Sequence, residues 1–333
     1  MSKTGILLIN LGTPQSPQVS DVKSYLKEFL MDARVITLPS FIRFILVYGL
    51  IAPFRSKKTA RNYQEIWTIN GSPLLTHTQQ LAEKLQNNLS AQYQVEFGMR
   101  YGQPSIEAAI DKLKHLKKII VLPLYPQYAS ATTGSSIVKV MAVFQKQQFI
   151  PNLEFISDFY NHPAYIQALT ASIKKHYKRT HHLIFSFHGL PELQLKALGC
   201  KPVCQTPCSS NIEVQGCYRQ QCFISATTIA KNLEIQEHNY SVCFQSRLGK
   251  TPWIKPYTDD TLAELAKQGV KKIQIACPSF VADCLETLEE ISISAKKMWA
   301  ELGGEEFEYI PCLNSEQAWI AAVKNILTTT TAV

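Results

Sequence analysis

Leu183-Ile184-Phe185-Ser186-Phe187-His188-Gly189-Leu190-Pro191 is the stretch that decides the fold. Five residues, four of them apolar, run straight into a histidine, and Gly-Leu-Pro then ends the strand. A near-continuous apolar run of this length belongs in a parallel sheet covered on both faces. It leaves one imidazole at a strand's carboxyl end, where open α/β sheets collect their ligands. A second stretch, Asp283-Cys284-Leu285-Glu286-Thr287-Leu288-Glu289-Glu290, follows strand Ile273-Gln274-Ile275-Ala276 in the same way. The two placements predict that His188 and Glu286 face each other across a cleft.

Outward from this pair, apolar strand patterns recur at 6–11, 93–98, 118–125, 153–157, 240–245 and 306–310. Helical patterns separate them at 19–31, 76–88, 105–115, 136–147, 162–178, 218–233, 259–268 and 283–302. Alternation of this kind predicts an α/β protein with doubly wound parallel sheets. An internal echo divides the chain: residues 7–14 resemble 184–191, and 120–125 resemble 275–280. Two domains are therefore expected, 1–160 and 161–333, with a binding cleft between them and a terminal helix that could pack back on the first.

Composition narrows the function. The chain has 333 residues, 46% apolar and 18% charged, which suits a globular protein with a sizeable core. Its net charge of +8 is scattered, with no run of five Lys or Arg, so nucleic acid is not an expected partner. An anionic small molecule or membrane surface fits better. No signal peptide pattern precedes the first strand, and a cytoplasmic location is expected. Segment 38–54 crowds ten apolar side chains around one charge, Arg43, and Arg55, Lys57, Lys58 and Arg61 follow it. It reads either as a buried core helix or as an apolar flap with a basic rim, suited to a flat apolar substrate with carboxylates or to a membrane surface.

Three groups carry chemistry. His188 is a candidate general base, the role imidazole most often takes. Asp283, Glu286 and Glu290 fall at helical spacings on one face, and an imidazole with carboxylates suits divalent iron, cobalt or zinc as well as proton transfer. Five of the nine cysteines, Cys200, Cys204, Cys208, Cys217 and Cys222, lie in one Pro- and Gly-punctuated segment, 199–222. Such thiolates could hold zinc or an iron–sulfur cluster, with Cys200, Cys204, Cys208 and Cys217 favoured and Cys222 as the alternate.

Taken in order, these stretches resemble the ferrochelatase family. The matching pieces are Asn10-Leu11-Gly12-Thr13-Pro14, Asn70-Gly71-Ser72-Pro73-Leu74, Arg100-Tyr101, Tyr125-Pro126-Gln127-Tyr128 with Thr132-Thr133-Gly134-Ser135, and Ser186 to Pro191. Phe244-Gln245-Ser246-Arg247, Pro252-Trp253 and Cys277-Pro278 through Glu290 complete the set, which spans nearly the whole chain. The resemblance implies two Rossmann-like domains and insertion of ferrous iron into protoporphyrin IX. His188 then takes pyrrole protons or binds iron, Glu286 is its acidic metal-binding partner, and Glu290 extends an acidic path. Leu11, Arg55, Ser72, Arg100, Tyr101, Tyr128, Ser130, Trp253 and Phe280 become candidates for the porphyrin pocket. A [2Fe–2S] cluster on the loop cysteines, peripheral membrane contact through 38–54, and a monomer or homodimer are also implied.

Two departures bear on these expectations. Cys284 stands where animal members have a histidine, so no histidine relay is available there. Leu11 stands where coproporphyrin-using members carry tyrosine, which favours protoporphyrin. The alternatives are a cobalt chelatase of the same fold, a coproporphyrin ferrochelatase, and a non-enzymatic iron–sulfur or haem sensor.

Overall fold

The computed structural model describes residues 3–204, 216–247, 249 and 251–330. The chain divides into two compact units. The first comprises Met1–Tyr125, Ala129–Asp158 and Ser315–Val333; the second comprises Pro126–Tyr128 and Phe159–Asn314.

The first unit is built on strands β1 (Thr4–Thr13), β2 (Tyr93–Gly102), β3 (Lys118–Pro123) and β4 (Asn152–Phe155). All pair in parallel, in the order β2-β1-β3-β4. Central β1 is buried from Gly5 to Asn10, as its unbroken apolar run requires. Leu7, Ile9 and Val121 pack on Ile106, Ile110 and Leu113 of one covering helix and on Val140 and Phe144 of another. The second unit repeats the plan with β5 (His182–His188), β6 (Tyr240–Gln245), β7 (Lys272–Ala276) and β8 (Glu306–Tyr309), again all parallel and in the order β6-β5-β7-β8. β5 thus occupies the place of β1, and β7 that of β3, which matches the internal echo. The two-unit, doubly wound α/β class is the one expected.

Residues 283–302 differ from expectation, and segment 38–54 follows the exposed-flap reading of the two left open. Residues 283–302 do not form one α-helix. A single turn, Leu285–Thr287, leads into a π-helical stretch, Leu288–Ala295, and then an α-helical turn, Lys296–Glu301. Wider π turns change which side chains share a face and are frequent at functional sites. Asp283 lies ahead of the helix and takes no part in an acidic face.

Segment 38–54 is not a buried core helix. It forms an α-helical turn (Ser40–Ile45), a π turn (Leu46–Ile51) and the start of the helix Ala52–Ile66. Polarity is inverted along it. Phe41 and Phe54 are 72% and 76% exposed, while Arg43 is buried and donates to the carbonyls of Ile36 and Leu38 at 3.1 and 2.7 Å. The Arg43 guanidinium closes backbone acceptors that would otherwise lack donors, and the apolar side chains are left outside. No helix among the described residues is long and apolar enough to cross a membrane.

Candidate active site

His188 ends β5 and is half-buried. Its Nδ1 lies 2.6 Å from the carbonyl oxygen of Gly189. A carbonyl can only accept, so in the neutral ring Nδ1 carries the hydrogen and Nε2 presents its lone pair. The rings of Phe280 and Trp253 flank the imidazole at centroid distances of 6.2 and 6.5 Å. Gly189 has no room for a side chain, since a Cβ there would sit 2.8 Å from the carbonyl oxygen of Gln245.

The acids come from the π-helical stretch and the turn before it. Both oxygens of Glu290 are held by one residue: the Ser246 N–H donates to Oε1 at 2.7 Å and the Ser246 hydroxyl to Oε2 at 2.5 Å. To do this Ser246 adopts φ +67°, a conformation that side chains other than glycine rarely take and that clusters at functional sites. Burial pushes the Glu290 carboxyl above its ordinary pKa and neighbouring Glu286 adds to this, while the Ser246 bonds and nearby His188 work the other way. Gln245 positions Glu286 through the backbone: its Nε2 donates to the Glu286 carbonyl at 2.7 Å, and its Oε1 accepts from Ser186 at 2.8 Å. Ser186 lies two residues before His188, so β5, β6 and the acidic turn are locked to one another. Asp283 is a structural acid. It is buried, and accepts from the Tyr309 hydroxyl at 2.5 Å, the Asn314 amide at 2.7 Å and the Cys312 N–H at 3.2 Å.

The other candidates occupy varied settings. In the first unit, Leu11 is half-buried near the end of β1, Ser72 is buried just before the helix Pro73–Asn88, and Arg55 is exposed beyond the apolar segment. Arg100 donates to Asp32 at 2.5 Å and to the Ser135 hydroxyl at 2.6 Å, and the buried Tyr101 donates to Asp32 at 2.9 Å. Ser130 accepts from Arg34 at 2.7 Å. In the second unit, Tyr128 is tied by its N–H to Gln221 at 2.6 Å, while Trp253 and Phe280 stand beside His188. Gln245, Ser246, Asp32 and Arg34 carry no role in the sequence reading. The first two lie inside the stretch Phe244-Gln245-Ser246-Arg247, and only the fold shows what they hold.

The expected [2Fe–2S] cluster on Cys200, Cys204, Cys208 and Cys217, with Cys222 as alternate, is corrected. Among the described residues, the side chains whose three donor atoms close to within 4.8 Å are His181, Glu306 and Glu308, and no cysteine belongs to that group. Among the described residues, nearness in sequence does not close three of these thiols around one point. Cys200 and Cys204 are half-buried, Cys217 is buried at the start of the helix Tyr218–Asn232, and Cys222 faces the core a turn further on. Burial holds the Cys222 thiol well above its ordinary pKa, which opposes the thiolate a metal needs. Cys208 lies outside the described residues. The His181 group sits at the opposite strand ends from His188. Its Glu306 pairs with Lys272 at 2.5 Å and with His181 at 3.1 Å, and Glu308 pairs with Lys178.

Comparison with known proteins follows the same line. The family model described as Ferrochelatase matches residues 3–331. A ferrochelatase of Legionella pneumophila (strain Paris) is 51% identical over 326 residues, covering 98% of each chain. One from Coxiella burnetii (strain CbuK_Q154) is 45% identical over 332 residues, covering 97% of this chain and 92% of its own. Among solved structures, SirB from Bacillus subtilis with Fe3+ superposes with a TM-score of 0.58 at 11% identity, over 99% of this chain and 96% of the other. At that identity the likeness speaks for the fold alone.

Proposed function

The chain belongs to the ferrochelatase family and inserts ferrous iron into protoporphyrin IX to form protohaem, and we propose that His188, Glu286 and Glu290 carry the reaction. The observation behind this assignment is the fixed tautomer of His188, whose Nε2 lone pair stands free beside a carboxyl group poised by burial. Metalation releases two protons, because the porphyrin N–H groups point into the hole the metal must enter. A ring pulled out of plane exposes its nitrogen lone pairs, with the strain supplied by binding contacts elsewhere on the ligand. His188 Nε2 takes a pyrrole proton, and Glu290 provides a second proton station. Glu286, whose backbone is pinned by Gln245, presents the iron-donating carboxylate.

The test is a metalation assay with protoporphyrin and Fe²⁺ or Zn²⁺. Glu286→Gln is expected to raise the KM for the metal at least tenfold, because the neutral amide is a weaker ligand. Glu290→Gln should lower kcat with little change in that KM. Wild-type kinetics in both variants would remove the acids from the mechanism. Parallel assays with coproporphyrin and sirohydrochlorin check the preference expected from Leu11.

The exposed apolar segment 38–54, rimmed by Arg55, Lys57, Lys58 and Arg61, supports peripheral contact with an anionic membrane by a protein otherwise in the cytoplasm. Phe41→Ser combined with Phe54→Ser is expected to reduce co-sedimentation with phosphatidylserine-containing vesicles severalfold. Unchanged binding would dismiss this contact.

A further inference from the structure

β7 stops pairing with β5 at Phe185 and Ala276 and is led away by Cys277-Pro278. His188, three residues past that last pair, therefore turns its backbone groups toward an edge its neighbouring strand has left. An unpaired N–H or C=O in such a place is costly. Two side-chain hydroxyls stand in for the missing strand. The His188 N–H donates to Ser279 Oγ at 3.0 Å, and the Tyr218 hydroxyl donates to the His188 carbonyl at 2.8 Å. On the other side, the Gly189 N–H donates to the Gln245 carbonyl at 2.8 Å. The peptide plane joining His188 to Gly189 is thus pinned at both ends, by Tyr218 on its oxygen and Gln245 on its hydrogen. That plane leads directly to the Gly189 carbonyl, the acceptor that fixes the imidazole tautomer.

We propose that Tyr218 is a positioning residue for metalation: it holds the His188–Gly189 peptide by its oxygen, while Ser279 holds the preceding peptide by the His188 N–H, so that the histidine keeps its hydrogen on Nδ1 and its lone pair on Nε2. The proposal rests on the reading of His188 as the proton acceptor. Tyr218 itself is buried at the first position of the helix Tyr218–Asn232 and donates to backbone, so its hydroxyl acts through His188. Removing only the hydroxyl leaves the ring's packing in place and frees the peptide to rotate.

The experiment uses the full chain carrying Tyr218→Phe, with Ser279→Ala as a second variant that frees the neighbouring peptide at the His188 N–H. Each is assayed for zinc insertion into protoporphyrin and examined by long-range ¹H–¹⁵N NMR of ¹⁵N-histidine protein, the His188 signals being identified by their loss in His188→Gln. Tyr218→Phe is expected to lower kcat about tenfold while the porphyrin KM stays within twofold, the pattern of misplaced catalytic geometry. The spectrum should change from the Nδ1–H tautomer to a mixture. Wild-type kcat together with an unchanged tautomer, in both variants, overturns the proposal. If His188→Gln is itself fully active, the role given to His188 fails, while the tautomer shift still decides whether Tyr218 positions the ring. A Tyr218→Phe protein that does not fold passes the decision to Ser279→Ala, for which the same two outcomes count.

Discussion

His188→Ala is expected to lower kcat for metalation of protoporphyrin by about a hundred- to ten-thousand-fold, the range for loss of a positioned general base. The KM for ferrous iron should change less than threefold. The split follows from geometry. Nδ1 is committed to the Gly189 carbonyl, and the only ring atom left for chemistry is Nε2, flanked by Phe280 and Trp253. A residue acting in the transition state lowers kcat, whereas one that binds the metal in the ground state raises its KM. Among the described residues the half-buried ring hydrogen-bonds only to the Gly189 carbonyl, so stability should change little. Steady-state kinetics with the metal varied at saturating porphyrin, and a thermal melt as control, make the check. A raised KM with kcat unchanged would make His188 an iron ligand and remove it as base.

Much of this was legible before any coordinates. Eight runs became eight strands, and the central ones, buried on both faces, are the most apolar, as Leu183 to Phe187 with its single polar residue shows. The acids on 286 and 290 were legible as neighbours, yet their geometry was not. Helical spacing assumes 3.6 residues per turn, and the π-helical stretch Leu288–Ala295 breaks that assumption. It also misplaced Asp283, whose bonds to Tyr309, Asn314 and Cys312 involve residues more than 25 positions away.

The apolar segment left two readings open, of which the exposed flap fits, and the cysteines went astray. An apolar composition does not say which side of a helix faces water, and one buried arginine, Arg43, inverts the usual pattern of segment 38–54. Cysteine spacing counts residues along the chain, while ligation needs thiolates within a few ångströms of one point. Cys222 fails that condition by facing the core as a protonated thiol. Ser246 and Tyr218 were out of reach altogether, because one acts through a left-handed backbone and the other through a carbonyl thirty residues away in sequence.

Asp32→Ala is expected to destabilise the first unit by about 1–3 kcal/mol, the cost of leaving the donors of a half-buried, hydrogen-bonded ion pair without their acceptor. Four donors converge on this carboxylate. Its Oδ2 accepts from Arg100 at 2.5 Å, the Ser135 hydroxyl at 2.5 Å and the Tyr101 hydroxyl at 2.9 Å, and its Oδ1 accepts from the Arg34 N–H at 2.7 Å. The side chains of Arg100 and Asp32 are only 14% and 9% exposed, so water cannot replace the lost acceptor freely. The same cluster sets the pH dependence. Burial by itself raises the Asp32 carboxyl, but the bonds from Ser135, the Arg34 N–H and Tyr101, with the charge of Arg100, more than reverse this and hold it below its ordinary pKa. A carboxyl depressed in the folded state contributes fully above its unfolded pKa of about 3.9 and loses that contribution as pH falls through the folded value. The stability gap between wild type and Asp32→Ala should therefore be widest near neutrality and narrow as pH falls below the unfolded pKa and through the folded one. Urea denaturation followed by tryptophan fluorescence at several pH values measures it. A gap that stays constant with pH would mean that the acceptor geometry, and not the charge, holds this corner of the fold.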